Sequence, residues 1–123
     1  MRDIKFRAWH KKHNEVYDVI SLKFDYDGIL EQAVVADKTF HDQRLVKTDD
    51  LILEQYTGAK DKDGKDIYEG DTLIRKVEVV ENGYVFYSYV VEYYKGRFYG
   101  VPPDMSELLD YEYFEDCKIG KRK

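Results

Sequence analysis

The chain has 123 residues, 43% apolar and 37% charged, with a formal net charge of −5. That length suits one domain around a single core, and the composition is that of a folded protein with a charged surface, not of a disordered one. Acidic residues spread from Asp3 to Asp116 leave no broad positive field, and GKRK at the end is only locally basic, so duplex nucleic acid is disfavoured as a partner. Cys117 is the only cysteine, which excludes an internal disulfide and a CxxC metal or redox site and suits a reducing compartment. MRDIKFRAWH lacks the apolar stretch of a signal peptide, and no later run approaches membrane-spanning length, so the expectation is a cytoplasmic protein without membrane contact.

IKFRAW alternates Ile4, Phe6 and Ala8 against Lys5 and Arg7, the period of a half-buried strand, and HKKHNE reads as the turn after it. Strand character resumes at Val16, and DYDG leads into the short apolar run ILEQAVV, which makes the N-terminal half a meander. Ala36–Asp50 has weak periodicity and is the candidate connection or internal boundary. The organisation expected is one domain over 1–123, with a subdivision into 1–50 and 51–123. LILEQY is the next strand.

Between Gln55 and Lys76 three glycines punctuate a charged stretch. Asp63-Gly64 suits the two-residue loop of a type I′ hairpin, both of whose central positions need positive φ, and Gly58 and Gly70 read as two further tight turns. On this reading Asp61, Asp63 and Lys65 are exposed loop charges whose joint replacement by Ser leaves stability nearly unchanged. TLIRKVEVV alternates, and Asn82-Gly83 is a second hairpin signal. In Tyr84–Tyr94 both faces are largely aromatic or aliphatic, which predicts a central strand buried on both sides, or one whose outer face meets another chain. GRFYG follows a Lys95-Gly96 turn. PPDMSELLDYEYFED predicts a helix of two to three turns, with Asp104 as N-cap and Met105, Leu108 and Leu109 on one face. CKI returns as a last short strand.

Sites are scarce. The acidic residues 61, 63, 66, 69 and 71 invite a calcium reading, but a loop with Gly64 at its sixth position would begin at Ala59 and end at Gly70, without the first ligand or the bidentate Glu. His10 and His13 meet only in a helix, and their segment reads as a turn, so zinc is not expected. His41 has no fixed relation to Cys117 or a serine, and no phosphate-binding glycine loop occurs. No catalytic, cofactor or metal residues are assigned, and the expectation is a protein that is not an enzyme.

Twelve tyrosines and six phenylalanines are the compositional oddity. Most of them fill the core of a small β-domain; where exposed among acidic neighbours, they favour a protein partner over single-stranded nucleic acid. The candidate binding surface is Tyr56, Lys60, Lys62, Tyr68, Arg75, Tyr87, Tyr89, Tyr93 and Tyr99, the partner a second protein or another copy of the chain. The alternative is weak nucleic-acid binding by Lys60, Lys62, Lys65, Arg75 and Lys76, with Tyr56 and Tyr68 stacking on bases; the intervening carboxylates cancel most of that field.

Four segments carry a resemblance to a known family: IKFRAWHKKHNEVY, LEQYTGAKDKDGKDIYEGDTL, VEYYKGRFYG and LLDYEYFEDCKIG, in that order. With these the chain resembles the YopX-type proteins of bacteriophages and prophages of mainly Gram-positive bacteria. The resemblance implies a mainly β fold, α+β at the margin, of short antiparallel strands with a small SH3-like barrel beside the short C-terminal helix. It implies a phage accessory protein and supplies no activity or site residues. Members commonly continue past Ile119-Gly120 into an Asn-rich, Pro-containing tail, where this sequence reads KRK.

Overall fold

The protein is described by a computed structural model that covers residues 4–36, 43–46, 48–81 and 83–121. His41, Asn82, Arg122, Lys123 and residues 37–42 and 47 of the Ala36–Asp50 connection lie outside the described residues. The chain divides into two compact units, Lys5–Gln55 and a second that runs from Tyr56 onward. Both are built from antiparallel strands.

In the first unit β1 (Phe6–His10), β2 (Glu15–Phe24), β3 (Leu30–Ala36) and β4 (Gln43–Val46) form a meander, and the first half of β5 (Leu51–Lys60) pairs with β1, giving the order β4-β3-β2-β1-β5. Ala8, Tyr17 and Val35 are its buried centre, with Val19 and Leu51 packed against them. The strand period predicted for β1 holds, but its two faces do not divide as expected. Ile4 is exposed, whereas Arg7 is almost wholly covered, because its cross-strand neighbour Glu54 accepts a 2.9 Å bond from its Nε. Each charge compensates the burial of the other.

The second unit begins within β5. Its strands β6 (Asp66–Tyr68), β7 (Thr72–Val79), β8 (Gly83–Tyr94), β9 (Arg97–Val101), β10 (Leu109–Asp110) and β11 (Lys118–Ile119) include a five-stranded sheet ordered β10-β9-β8-β7-β11. β10 and β11 stand at the two ends of that order, and the mainly β fold of short antiparallel strands that was expected is the one found. Ile67, Leu73, Val91, Phe98, Leu109, Phe114 and Cys117 form the core. Tyr94 and Arg97 close the Lys95-Gly96 turn, whose two residues have φ +47 and +84, as a type I′ hairpin requires.

The helix expected after Pro103 is displaced and of another kind. Asp104 does cap locally, its Oδ1 accepting from the Ser106 amide and hydroxyl, which hold its carboxyl below the ordinary carboxylate range. Met105, however, has φ +58, Leu109 is taken by the ladder opposite Gly100, and a 3-10 helix forms only at Tyr111–Asp116. Strand pairing of Leu109 wins over the helical spacing of Met105, Leu108 and Leu109. Phe114, the one buried residue of that 3-10 turn, reaches the core.

Candidate functional site

The charged block from Gln55 to Lys76 contains two chain reversals and one bulge. Gly58, expected in a turn, sits inside β5 at φ +90, at the register shift between Tyr56 and Lys60. Thr57 bridges the disturbed ladder: its Oγ1 donates to Ile67 O at 2.8 Å and accepts from Ala59 N. A Cβ on Gly58 would approach the Tyr111 hydroxyl to 3.3 Å.

The loop at Gly64 is also different from expectation. Asp61 N bonds Lys65 O and Gly64 N bonds Asp61 O, so three residues, not two, make the turn; Gly64 alone takes the left-handed region, at φ +82. Asp61 is the hub. Its Oδ1 accepts from the amides of Asp63 and Lys65, each at 2.9 Å, and its Oδ2 from the amide of Ile119, 58 residues away, at 3.1 Å. The Lys62 amide adds a bond to Cys117 O. Only 4% of Asp61 is exposed. Burial by itself pushes its carboxyl up; the amides of Lys65, Ile119 and Asp63 and the Lys65 charge outweigh this and hold it below its ordinary value. Asp61 is thus a buried anchor for β11, and the expectation that it is a dispensable loop charge does not survive.

The same turn occurs a second time. In Asp25–Ile29 the backbone bonds run Asp25 N to Ile29 O and Gly28 N to Asp25 O, Asp25 Oδ1 accepts from Asp27 N and Ile29 N, and Gly28 has φ +79. Both read D-x-D-G-x in the sequence, DYDGI and DKDGK. That recurrence was the available signal for the geometry. No local signal marked the third bond, to Ile119.

Other polar groups of the block are also engaged. Tyr68-Glu69-Gly70-Asp71 is a β-turn in which Asp71 N bonds Tyr68 O and Asp71 Oδ2 accepts from Tyr68 N. Lys60 pairs with Asp66 at 2.7 Å, and Lys118 approaches Asp63 at 3.9 Å. Among the described residues no group of three or more His, Cys, Asp or Glu side chains could hold a metal ion. His10 and His13 do meet, against expectation: their rings stack at 4.2 Å within a turn, where His13 N donates to His10 Nδ1.

The nine residues singled out as a surface divide into groups. Tyr56 is buried and its ring lies 5.5 Å from that of its cross-strand partner Tyr68. Lys60 is spent on Asp66, and Lys62 projects from the loop. Arg75 and Tyr87 are cross-strand neighbours, with the Arg75 guanidinium 5.1 Å from the Tyr113 ring centre. Tyr89 packs against the core, Tyr93 lies edge-on to Phe98, and Tyr99 pairs with Glu92.

The region that stands out is β8. Of its twelve residues only Val91 is buried, so burial on both sides is corrected. Its neighbours are shorter. β7 pairs with Gly83–Val90 and β9 only with Val90–Tyr94, so the distal half of the β7–β8 hairpin is a two-stranded arm beyond the core. Tyr84, Phe86 and Val90 are exposed on one face, Val85 and Tyr87 on the other, with Phe86 at 64% and Val80 at the tip at 98%. Lys76 Nζ sits 3.8 Å from the Tyr84 ring centre. The concentration of apolar surface on one arm is what a binding surface requires and a core does not.

Two antiparallel sheets in two units, an internally satisfied polar turn and an exposed aromatic arm define a small all-β protein. The YopX protein family model matches residues 5–118, and the chain belongs to the YopX family. The crystal structure of protein EF1440 from Enterococcus faecalis is similar in fold, with a TM-score of 0.59 at 23% identity over 81% of this chain and 78% of that one. No curated protein matches the sequence. Among the described residues no helix is long and apolar enough to cross a membrane.

Proposed function

We propose that the protein is a non-enzymatic binding module that engages another protein through the β7–β8 arm. The observation that carries this is the exposure of Tyr84, Phe86, Tyr87 and Val90 on a strand central to its sheet. Tyrosine and phenylalanine give large contact areas at small entropic cost and are enriched where proteins meet. The setting that fits is the cytoplasm of a bacterium carrying a phage or prophage, a reading that rests on the single cysteine and the family resemblance. Nucleic acid is the weaker reading, because Lys60 is already paired with Asp66 and the loop lysines alternate with carboxylates.

The test compares wild type with a Tyr84→Ser, Phe86→Ser, Tyr87→Ser variant in light-scattering chromatography and in pull-down from a host lysate. Loss of self-association or of a captured protein, with an unchanged melting temperature, supports the reading. A wild type that stays monomeric and captures nothing contradicts it.

A further inference from the structure

We infer that the partner of this arm is a second copy of the chain, added strand to strand along the open edge of β8; the inference rests on the arm being a protein-binding surface. Val91 exchanges backbone bonds on the β7 side, its N–H with Asp71 O and its C=O with Gly70 N. In an antiparallel ladder the sides alternate. Residues 89, 87, 85 and 83 therefore bond toward β7, and 84, 86, 88 and 90 toward the other edge. Val90 finds Val101 of β9 there, but β9 ends at Val101 and Pro102-Pro103 follows. Among the described residues the amides and carbonyls of Tyr84, Phe86 and Ser88 have no strand on that edge.

Natural sheets protect such edges with charge, proline or a bulge. From Tyr84 to Val91 none of these is present: the residues are YVFYSYVV, in unbroken register with β7 from Gly83 to Val90. This edge is also self-complementary. Two copies running antiparallel about a two-fold axis at Phe86 set Tyr84 opposite Ser88, Phe86 opposite Phe86 and Ser88 opposite Tyr84. All three outward-bonding residues then find outward-bonding partners, for about six new backbone bonds, two from each such pair. Any other antiparallel register pairs fewer of them.

Electrostatics and shape select the same occupant. A molecule of net charge −5 repels its own copy, yet Tyr84–Val91 itself carries no charge; the carboxylates on that side, Asp104 and Glu107, belong to the segment after β9 that lines a cavity with Phe86–Tyr89. The nearest cations, Lys76 on each β7, would lie three strand spacings apart, about 14 Å, beyond the ~8 Å screening length at physiological salt. In the same register Gly83 of one copy reaches the end of β9 in the other, where Val101 already holds the place opposite Val90, so the exposed Val80 tip turns out of the sheet plane there, beside the groove of about 530 Å3 that Ser88, Tyr89, Pro102 and Pro103 line. Each copy offers both tip and groove, as an isologous contact demands.

Sedimentation equilibrium tests this on wild type, Phe86→Lys, Phe86→Glu and an equimolar mixture of the two variants, at protein concentrations up to the order of 100 µM. Wild type is expected to be dimeric, each variant alone monomeric, and the mixture dimeric again, because opposite charges then face each other at the two-fold position. Unchanged circular dichroism of each variant separates loss of pairing from loss of fold, and Ser88→Pro, which removes an edge amide, gives a second route to the monomer. A wild type monomeric throughout, a dimer that persists in Phe86→Lys, or a mixture that stays monomeric overturns the inference. If the wild type is monomeric but captures another protein that Phe86→Lys does not, this inference fails and the binding-module reading stands; if nothing is captured either, both fail.

Discussion

The β5–β6 and β7–β8 hairpins follow one another in the chain and dispose of their polar groups in opposite ways. In the first, a charged loop that looks available for a ligand is closed on itself: Asp61 accepts three backbone amides, Lys60 holds Asp66, and Asp71 returns to Tyr68 N. In the second, a run of residues suited to a core is largely exposed, and among the described residues no strand pairs with the outer edge of Tyr84–Ser88. Charge density is therefore a poor guide to where this molecule binds. The better guide is which donors, acceptors and apolar surfaces the fold leaves unused.

The largest effect expected is from Asp61→Ala. It strands amides of Asp63, Lys65 and Ile119 and removes one of the bonds that hold β11, for a loss of about 3 kcal/mol by urea denaturation. Asp25→Ala, in the matching exposed turn, should lose no more than about 1 kcal/mol. Equal losses would mean that the bond to Ile119 contributes nothing and the comparison fails. Gly100→Ala comes next: its Cβ would lie 2.9 Å from that of Tyr89 and 3.1 Å from that of Leu109, an overpacking cost of about 1–3 kcal/mol. Gly64→Val and Gly28→Val should each cost about 1–2 kcal/mol through positive φ alone, since a Cβ at either meets nothing within 4 Å. By contrast Tyr84→Ser or Phe86→Ser should change monomer stability by no more than about 0.5 kcal/mol, as suits side chains that serve a partner and not the core.

Acid gives an independent reading of the anchor. Because the folded pKa of Asp61 lies below its unfolded one, the carboxylate stabilises the fold above the ordinary Asp range, near pH 4, and that contribution is lost as pH falls through the folded value. Asp61→Asn should thus be clearly less stable than wild type at neutral pH, with the gap closing below about pH 4. A gap independent of pH would show that the charge is irrelevant. At Cys117 burial pushes the thiol up to about 11, the nearby Arg75 charge only partly opposing it. A thiol reagent at pH 8 should label it at the rate of unfolding; labelling at the rate of a free thiol would place Cys117 outside the core.

Much of the fold was legible because its signals are local. Alternation marked the strands, and Lys95-Gly96 and Gly64 marked reversals by their need for positive φ. Gly58 shows the limit of that signal: a glycine reports a left-handed residue, and a bulge uses one as readily as a turn does. The Met105–Leu109 spacing was helical, yet the β9 edge captured Leu109. Asp61 was misread because its decisive partner is 58 residues distant. The exposure of β8 was hidden for a related reason. Aromatic residues on both faces imply burial only if neighbouring strands are as long, and β9, with five residues against twelve, is not.

Residue-resolved hydrogen exchange on a dilution series of the wild type tests the contrast between the hairpins on a single sample. The account predicts that the amides of Asp63, Lys65 and Ile119 are protected to the same degree at every concentration. Those of Tyr84, Phe86 and Ser88 should exchange at nearly the unprotected rate when dilute and become protected as the concentration rises. Strong protection of Tyr84, Phe86 and Ser88 at the lowest concentration, or free exchange at Asp63, Lys65 and Ile119, would contradict it.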